Sequence, residues 1–145
     1  ICSWVQWILL LQQLSGCFES FLKNPRVMKK VQMELETVVG MKRKVEESDL
    51  DKLVYLYMVV MENMRIHPVV PLLIPHLSRE DCMVGDLFIP KKSKVIVNAW
   101  AIMRDPSAWN KAEKFWPERF KGSNIDLKGH DFKYKRSLYR NFIIL

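Results

Sequence analysis

The sequence is poor in the residues that build metal sites and disulfide frameworks. Its 145 residues hold three cysteines, Cys2, Cys17 and Cys82. Three is an odd number and no Cys-x-x-Cys spacing occurs, which argues against a disulfide scaffold and a zinc site. Such sparse use fits a reducing compartment. A long hydrophobic run is also missing. Residues 1–14 are apolar and rich in tryptophan, but Gln6, Gln12 and Gln13 interrupt them, and the stretch is too short for a membrane span. There is no initiator Met and no positively charged leader, so no signal peptide is expected. A chain that starts with Ile is expected to be an incomplete reading. Internal repeats and low-complexity tracts are absent.

What remains is the composition of a globular domain. Hydrophobic residues make up 49% and charged residues 27%, and a compact fold of this length buries roughly two-thirds of its unfolded surface. The net charge is +7. Through most of the chain the basic residues are interleaved with acids, as in Lys42-Arg43-Lys44-Val45-Glu46-Glu47. Only Lys128, Lys133, Lys135, Arg136 and Arg140 form a local excess. With no recognition motif beside it, this charge reads as a solvated surface, and no nucleic-acid partner is expected.

Periodicity places the elements. Asn24-Pro25 opens a helix, since Asn is a good N-cap and Pro is tolerated at the first helical position. Val27, Met28, Val31, Leu35, Val38 and Val39 follow at helical spacing, Lys30 and Glu34 form an i,i+4 pair, and Gly40 stops the element. The spacing predicts a helix over 25–39. Ser48 with Asp51 resembles a capping box opening a second helix. Its apolar stripe is Leu50, Leu53, Val54, Tyr57, Met58, Met61 and Met64, and Pro68 ends it near Ile66. Pro68, Pro71 and Pro75 make the next stretch extended. Cys82–Val84 and Leu87–Ile89 flank Gly85-Asp86, a hairpin signal. Residues 94–99 read as a strand, residues 100–104 as a short helix, and Asp105-Pro106 as a turn. The last fifteen residues carry no pattern.

Glu62 and Arg65 share a face of the second helix, and that face also carries Leu and Met, so the pair is expected to be partly buried. Alone, Glu-x-x-Arg is common and reads as a surface pair. Here it continues as Glu62-Asn63-Met64-Arg65-Ile66-His67-Pro68, which resembles the helix K signature of cytochromes P-450. Phe115-Trp116-Pro117-Glu118-Arg119-Phe120 resembles the Pro-Glu-Arg-Phe segment of that family. Between them, Ala101-Ile102-Met103-Arg104-Asp105-Pro106 with Trp109 is similar to its connecting helix and turn. Lys23-Asn24-Pro25 resembles the start of helix J. The four occur in the family's order and intervals across residues 22–132, and the plant members are the nearest in kind.

The resemblance implies a mainly α fold with a small β-sheet, a fragment of the cytochrome P-450 fold with helices J and K, a small sheet and the meander. It implies that Glu62, Arg65 and Arg119 form a structural Glu-Arg-Arg cluster. Val69, Val70, Leu72, Leu73 and Ile74 would be a wall of the substrate pocket, or else plain core strand. His76 would contact a haem propionate, or else be an ordinary loop histidine. The family's cofactor is haem, bound by a cysteine thiolate that favours O–O cleavage. Its partners are a reductase electron donor and a small apolar substrate of plant secondary metabolism, and its place is the endoplasmic reticulum membrane.

Two parts of the family pattern are not matched. Gly129-His130-Asp131-Phe132 resembles the approach to the haem-cysteine loop. Residues 133–145 then diverge, and no Phe-x-x-Gly-x-Arg-x-Cys occurs. No axial ligand is therefore expected, and haem is not expected to bind. Residues 1–21 stand where helix I would carry an acidic residue and a Thr. Shifted by one base, the junctions after Trp4 and Trp7 must encode Gly and Asp, and Gly-Ser-Met-Asp-Thr-Ser becomes readable. Residues 1–21 are accordingly expected to be a frame-shifted helix I. The expected function is an inactive fragment of a haem-dependent monooxygenase, with no catalytic residues of its own. The alternative is a non-catalytic module that docks on a reductase or an intact relative.

Overall fold

The computed structural model describes residues 2–123 and 142–144, and gives the backbone alone for residues 2–6, 8, 9 and 142–144. The basic tail and the Gly129-His130-Asp131-Phe132 segment lie outside the described residues. The described chain is mainly helical with short antiparallel strands and falls into two compact units. One runs through His67 and resumes at Phe115. The other is Pro68–Lys114 with the strand at 142–144.

The first unit holds α1 (Cys2–Lys23), α2 (Pro25–Val38), a 3-10 helix (Glu47–Lys52), α3 (Val54–Ile66) and a 3-10 turn (Pro117–Phe120). Among the described residues no helix is long and apolar enough to cross a membrane. Helix α2 starts and stops where its sequence signals stand. Asn24 is the N-cap residue, but its side chain donates backwards to the Ser20 carbonyl at 2.9 Å and so closes α1. Gly40 takes φ +80 and donates its N–H to the Leu35 carbonyl, the left-handed stop that glycine permits. Val27 and Val31 of α2 pack with Val59 of α3, ringed by Phe21, Leu35 and Phe115.

The expected Lys30–Glu34 pair does not form. Both oxygens of Glu34 accept instead from the start of α3, from Tyr55 N–H at 2.6 Å and Leu56 N–H at 2.8 Å. Lys30 Nζ goes to Glu118 at 2.6 Å. The first N–H groups of a helix have no partner within it. Satisfying two of them outweighs an exposed i,i+4 pair, worth about 0.3–0.5 kcal/mol.

The second predicted helix is likewise two elements. The capping box is Glu46 with Asp49, ahead of the predicted Ser48 and Asp51, and it opens the 3-10 helix. Asp49 is buried and takes Arg43 Nη1 and Nη2 at 2.6 and 2.8 Å and the Glu46 N–H at 3.1 Å. The chain then breaks at Leu53 (φ −87, ψ 63), which is fully buried, and α3 follows. The buried face of α3 is also rotated from the apolar stripe. Val54 and Tyr57 are exposed, whereas Val59, Met61, Glu62, Asn63 and Arg65 are buried. An ion pair inside the core displaces the apolar stripe that simple patterning expects.

Arg43 holds the Asp49 carboxyl well below the ordinary carboxylate range. A depressed folded-state pKa contributes stability above the unfolded value of about 4, and that contribution is lost as pH falls toward the folded value. Acidification from pH 5 downward is therefore expected to lower the urea midpoint. Asp49→Asn is expected to flatten that part of the profile, and parallel profiles for the two proteins would discount the pair.

Helix α1 approaches α3 closely at Gly16, where a Cβ would stand 3.2 Å from His67 Cγ and 3.4 Å from Asn63 Oδ1. Gln13 Nε2 donates to the His67 carbonyl at 2.7 Å, capping the end of α3. Elsewhere on α1, Trp7, Leu11, Leu14 and Phe18 form an exposed apolar stripe at i, i+4, i+7 and i+11.

In the second unit, residues 68–75 are not simply extended. They turn, with Leu73 at φ +50 and its N–H on the Val70 carbonyl. Strand β1 (His76–Leu77) follows, then the hairpin of β2 (Cys82–Val84) and β3 (Leu87–Ile89), which has the predicted bounds and pairs Val84 with Leu87. Gly85 supplies φ +61 at its tip. Strand β4 (Lys94–Val97) ends before the predicted residue 99, because Asn98 Oδ1 accepts from Ala101 N–H and caps the short helix α4 (Ala99–Ile102). The patternless tail contributes β5 (Phe142–Ile144), so the sheet order is β1-β4-β5, all antiparallel.

Candidate functional site

The most concentrated polar chemistry in the described residues surrounds Glu62. Helical spacing puts Glu62 and Arg65 one turn apart on α3, and both face inward, 0% and 2% exposed. Arg65 Nε donates to Glu62 Oε2 and Arg65 Nη2 to Oε1, each at 2.9 Å. This two-pronged geometry is the strong form of a carboxylate–guanidinium pair.

A second arginine comes from far along the chain. Pro117 occupies the first position of the Pro117–Phe120 turn, where its missing N–H costs nothing. The turn presents Arg119, whose Nε donates to Glu62 Oε1 at 3.1 Å. The backbone N–H of Trp116 donates to the same oxygen at 2.8 Å. The Arg119 guanidinium also lies 5.5 Å from the centre of the Trp116 ring, within reach of a cation–π contact.

Glu62 thus receives at least four N–H donors, about the capacity of an ionised carboxylate. Such saturation is what a buried charge needs to offset its desolvation. Burial pulls the Arg119 pKa below the ordinary arginine value, with the Glu62 charge opposing and the Arg65 charge adding to the pull. A carboxylate that takes donors from two guanidiniums and a backbone N–H is suited to holding segments together.

The structure therefore brings Glu62, Arg65 and Arg119 into contact. It also shows partners that pattern reading passes over. The Trp116 donor is a backbone group and leaves no mark in the sequence. Glu118 takes Lys30, 88 residues away, and Tyr55, 63 residues away, separations no periodicity reveals. Its one sequence signal is its place in the Pro-Glu-Arg-Phe segment.

The other singled-out residues lie in the second unit. His76 begins β1, is exposed, and pairs through its backbone with Val95. Val69 is half-buried, while Val70, Leu72, Leu73 and Ile74 are exposed around the turn at Leu73. Among the described residues, no three His, Cys, Asp or Glu side chains gather to hold a metal ion. Cys82 is exposed on the hairpin and Cys17 is half-buried on α1, where burial pushes its thiol pKa up.

The family model for cytochrome P450 matches residues 13–135, and the chain belongs to the cytochrome P450 family. It is similar to plant members. It is 52% identical over 130 residues to cytochrome P450 CYP736A12 of Panax ginseng, across 89% of this chain and 24% of that protein. It is 50% identical over 113 residues to tabersonine 16-hydroxylase 1 of Catharanthus roseus, across 78% and 22%. A zebra fish cytochrome P450 solved with abiraterone superposes with a TM-score of 0.71 at 41% identity, over 75% of this chain and 26% of that one. The chain spans about a quarter of the length of the curated relatives it matches.

The family implies haem held by a cysteine thiolate, and the described cysteines do not fit that ligand. A raised thiol pKa at Cys17 opposes thiolate formation. Cys82 sits on a tight hairpin between Asp81 and Met83, with no glycine-rich loop around it.

Proposed function

We propose that these residues are a scaffold slice of a haem-dependent monooxygenase, an oxidoreductase that inserts one atom of O2 into a small apolar substrate. We propose further that this chain does not perform that reaction itself. The observation that carries the reading is the Glu62 cluster, which ties α3 to the Pro117–Phe120 turn in a sequence with no cysteine after Cys82. In a full-length family member the cluster would fix the segment leading toward the haem-cysteine loop. The apolar run Val69, Val70, Leu72, Leu73 and Ile74 would face the substrate, and its exposure supports a surface completed by other residues. A reductase would supply electrons to the complete enzyme. The hydroxylase name of the Catharanthus relative supports a substrate from plant secondary metabolism. Residues 1–21, in this reading, are a displaced frame where helix I would stand, and residues 133–145 replace the cysteine loop.

The test is spectroscopic. The purified chain, mixed with haemin, reduced and exposed to carbon monoxide, is expected to give no thiolate-type absorption band. A thiolate band would overturn the inactive reading, and Cys2→Ser, Cys17→Ser and Cys82→Ser would then identify the sulfur.

A further inference from the structure

The Pro117–Phe120 turn is gripped by two sets of partners, and the Glu62 cluster is one of them. Trp116 and Arg119 engage Glu62. Glu118, between them, engages another set. Its Oε1 accepts from Lys30 Nζ of α2 at 2.6 Å and from the Tyr55 hydroxyl of α3 at 3.2 Å, with Arg26 Nη2 at 3.5 Å. Lys30 also lies 5.2 Å from the centre of the Tyr55 ring. Tyr55 is itself fixed at its backbone by Glu34.

The charges suit these roles. Burial, followed by the Glu118 charge, pushes the Tyr55 hydroxyl up to about 12, so it remains a donor. Burial raises the Glu118 carboxyl, but hydrogen bonds and charge from Lys30 more than offset this and hold it below its ordinary value, so it remains an acceptor.

A four-residue 3-10 turn has poor hydrogen-bond geometry and little rigidity of its own. Pro117 and Phe120 bury its ends, and the polar contacts at Glu62 and Glu118 set the orientation of the residues between them. We propose that Glu118, with Lys30 and Tyr55, is the positioning residue of the Glu62 cluster, setting the turn so that Trp116 N–H and Arg119 both meet Glu62. The proposal stands on the first unit alone and holds whether or not the chain has any activity.

Amide hydrogen exchange of the full chain tests it, because Trp116 N–H reports the Glu62 bond directly. Glu118→Gln keeps the shape and removes the charge. It is expected to speed Trp116 exchange about tenfold, the scale of one charged hydrogen bond, and to leave the interior amides of α2 unchanged. Lys30→Met, at a half-exposed site, is expected to act in the same direction. The double variant is expected to fall short of the sum, since the two act on one contact. Unchanged Trp116 exchange in both single variants would overturn the proposal. So would equal acceleration throughout the unit, which would reduce Glu118 to general stability.

Discussion

Glu62→Ala is expected to cost the first unit about 3–5 kcal/mol, the scale for removing one partner from a buried ion pair. The change removes the carboxylate to which the buried Arg65 and Arg119 side chains both donate. It also removes the acceptor of Trp116 N–H. Protection of the α3 amides from hydrogen exchange is expected to collapse toward unfolded rates. Arg119→Ala is expected to cost less, because Glu62 keeps both bonds from Arg65. Glu62→Gln is expected to lie close to Glu62→Ala, since the amide would point N–H groups at N–H donors. A loss under about 0.5 kcal/mol for Glu62→Ala, the range of ordinary surface changes, would show that the cluster is incidental.

Leu53→Ala should be the next most damaging single change, at about 2–5 kcal/mol. Leu53 is 1% exposed. It occupies the break between the 3-10 helix and α3, and its carbonyl starts the α3 ladder by accepting from Tyr57 N–H at 3.0 Å. A methyl in its place leaves a cavity at the point where the chain changes direction. The contrast is Leu50→Ala, three residues earlier and 54% exposed, expected to change stability by no more than about 0.5 kcal/mol. Both leucines belong to one stripe in the sequence, so denaturation of the two variants separates pattern from packing. Equal losses would mean that the stripe, and not the break at Leu53, describes the core.

That contrast shows where the sequence was legible. The glycine stop and turn read correctly, whereas the capping box stands at Glu46 and Asp49 and not at Ser48 and Asp51. Gly40 ends α2 because only a left-handed residue fits there, and Gly85-Asp86 joins the two strands predicted to flank it. Glu34 was misassigned because its partners lie on another helix, where a carboxylate does more by capping than by pairing with Lys30. Glu62 and Arg65, expected to be partly buried, are almost wholly so, and they take the place of Val54 and Tyr57 of the apolar stripe, which are exposed. Spacing alone gave the pair no more than a surface role. The ordered run of segments, including Pro117 to Phe120, raised it and brought in Arg119. Trp116 N–H and Lys30 were beyond reach, since neither a backbone donor nor a contact across 88 residues leaves a local trace.

Glu62 and Arg119 stand 57 residues apart, and the chain between His67 and Phe115 belongs to a different compact unit. Residues 68–114 are an insertion in sequence between the two partners, and the carboxylate is a clip within the first unit that closes the ring. Closing a flexible ring costs only about 0.6 kcal/mol more for each doubling of its length. The inserted residues are thus free to grow, shrink or diverge at little expense to the clip. The arrangement separates what must stay constant, a carboxylate and two guanidiniums, from a stretch whose length and surface can change.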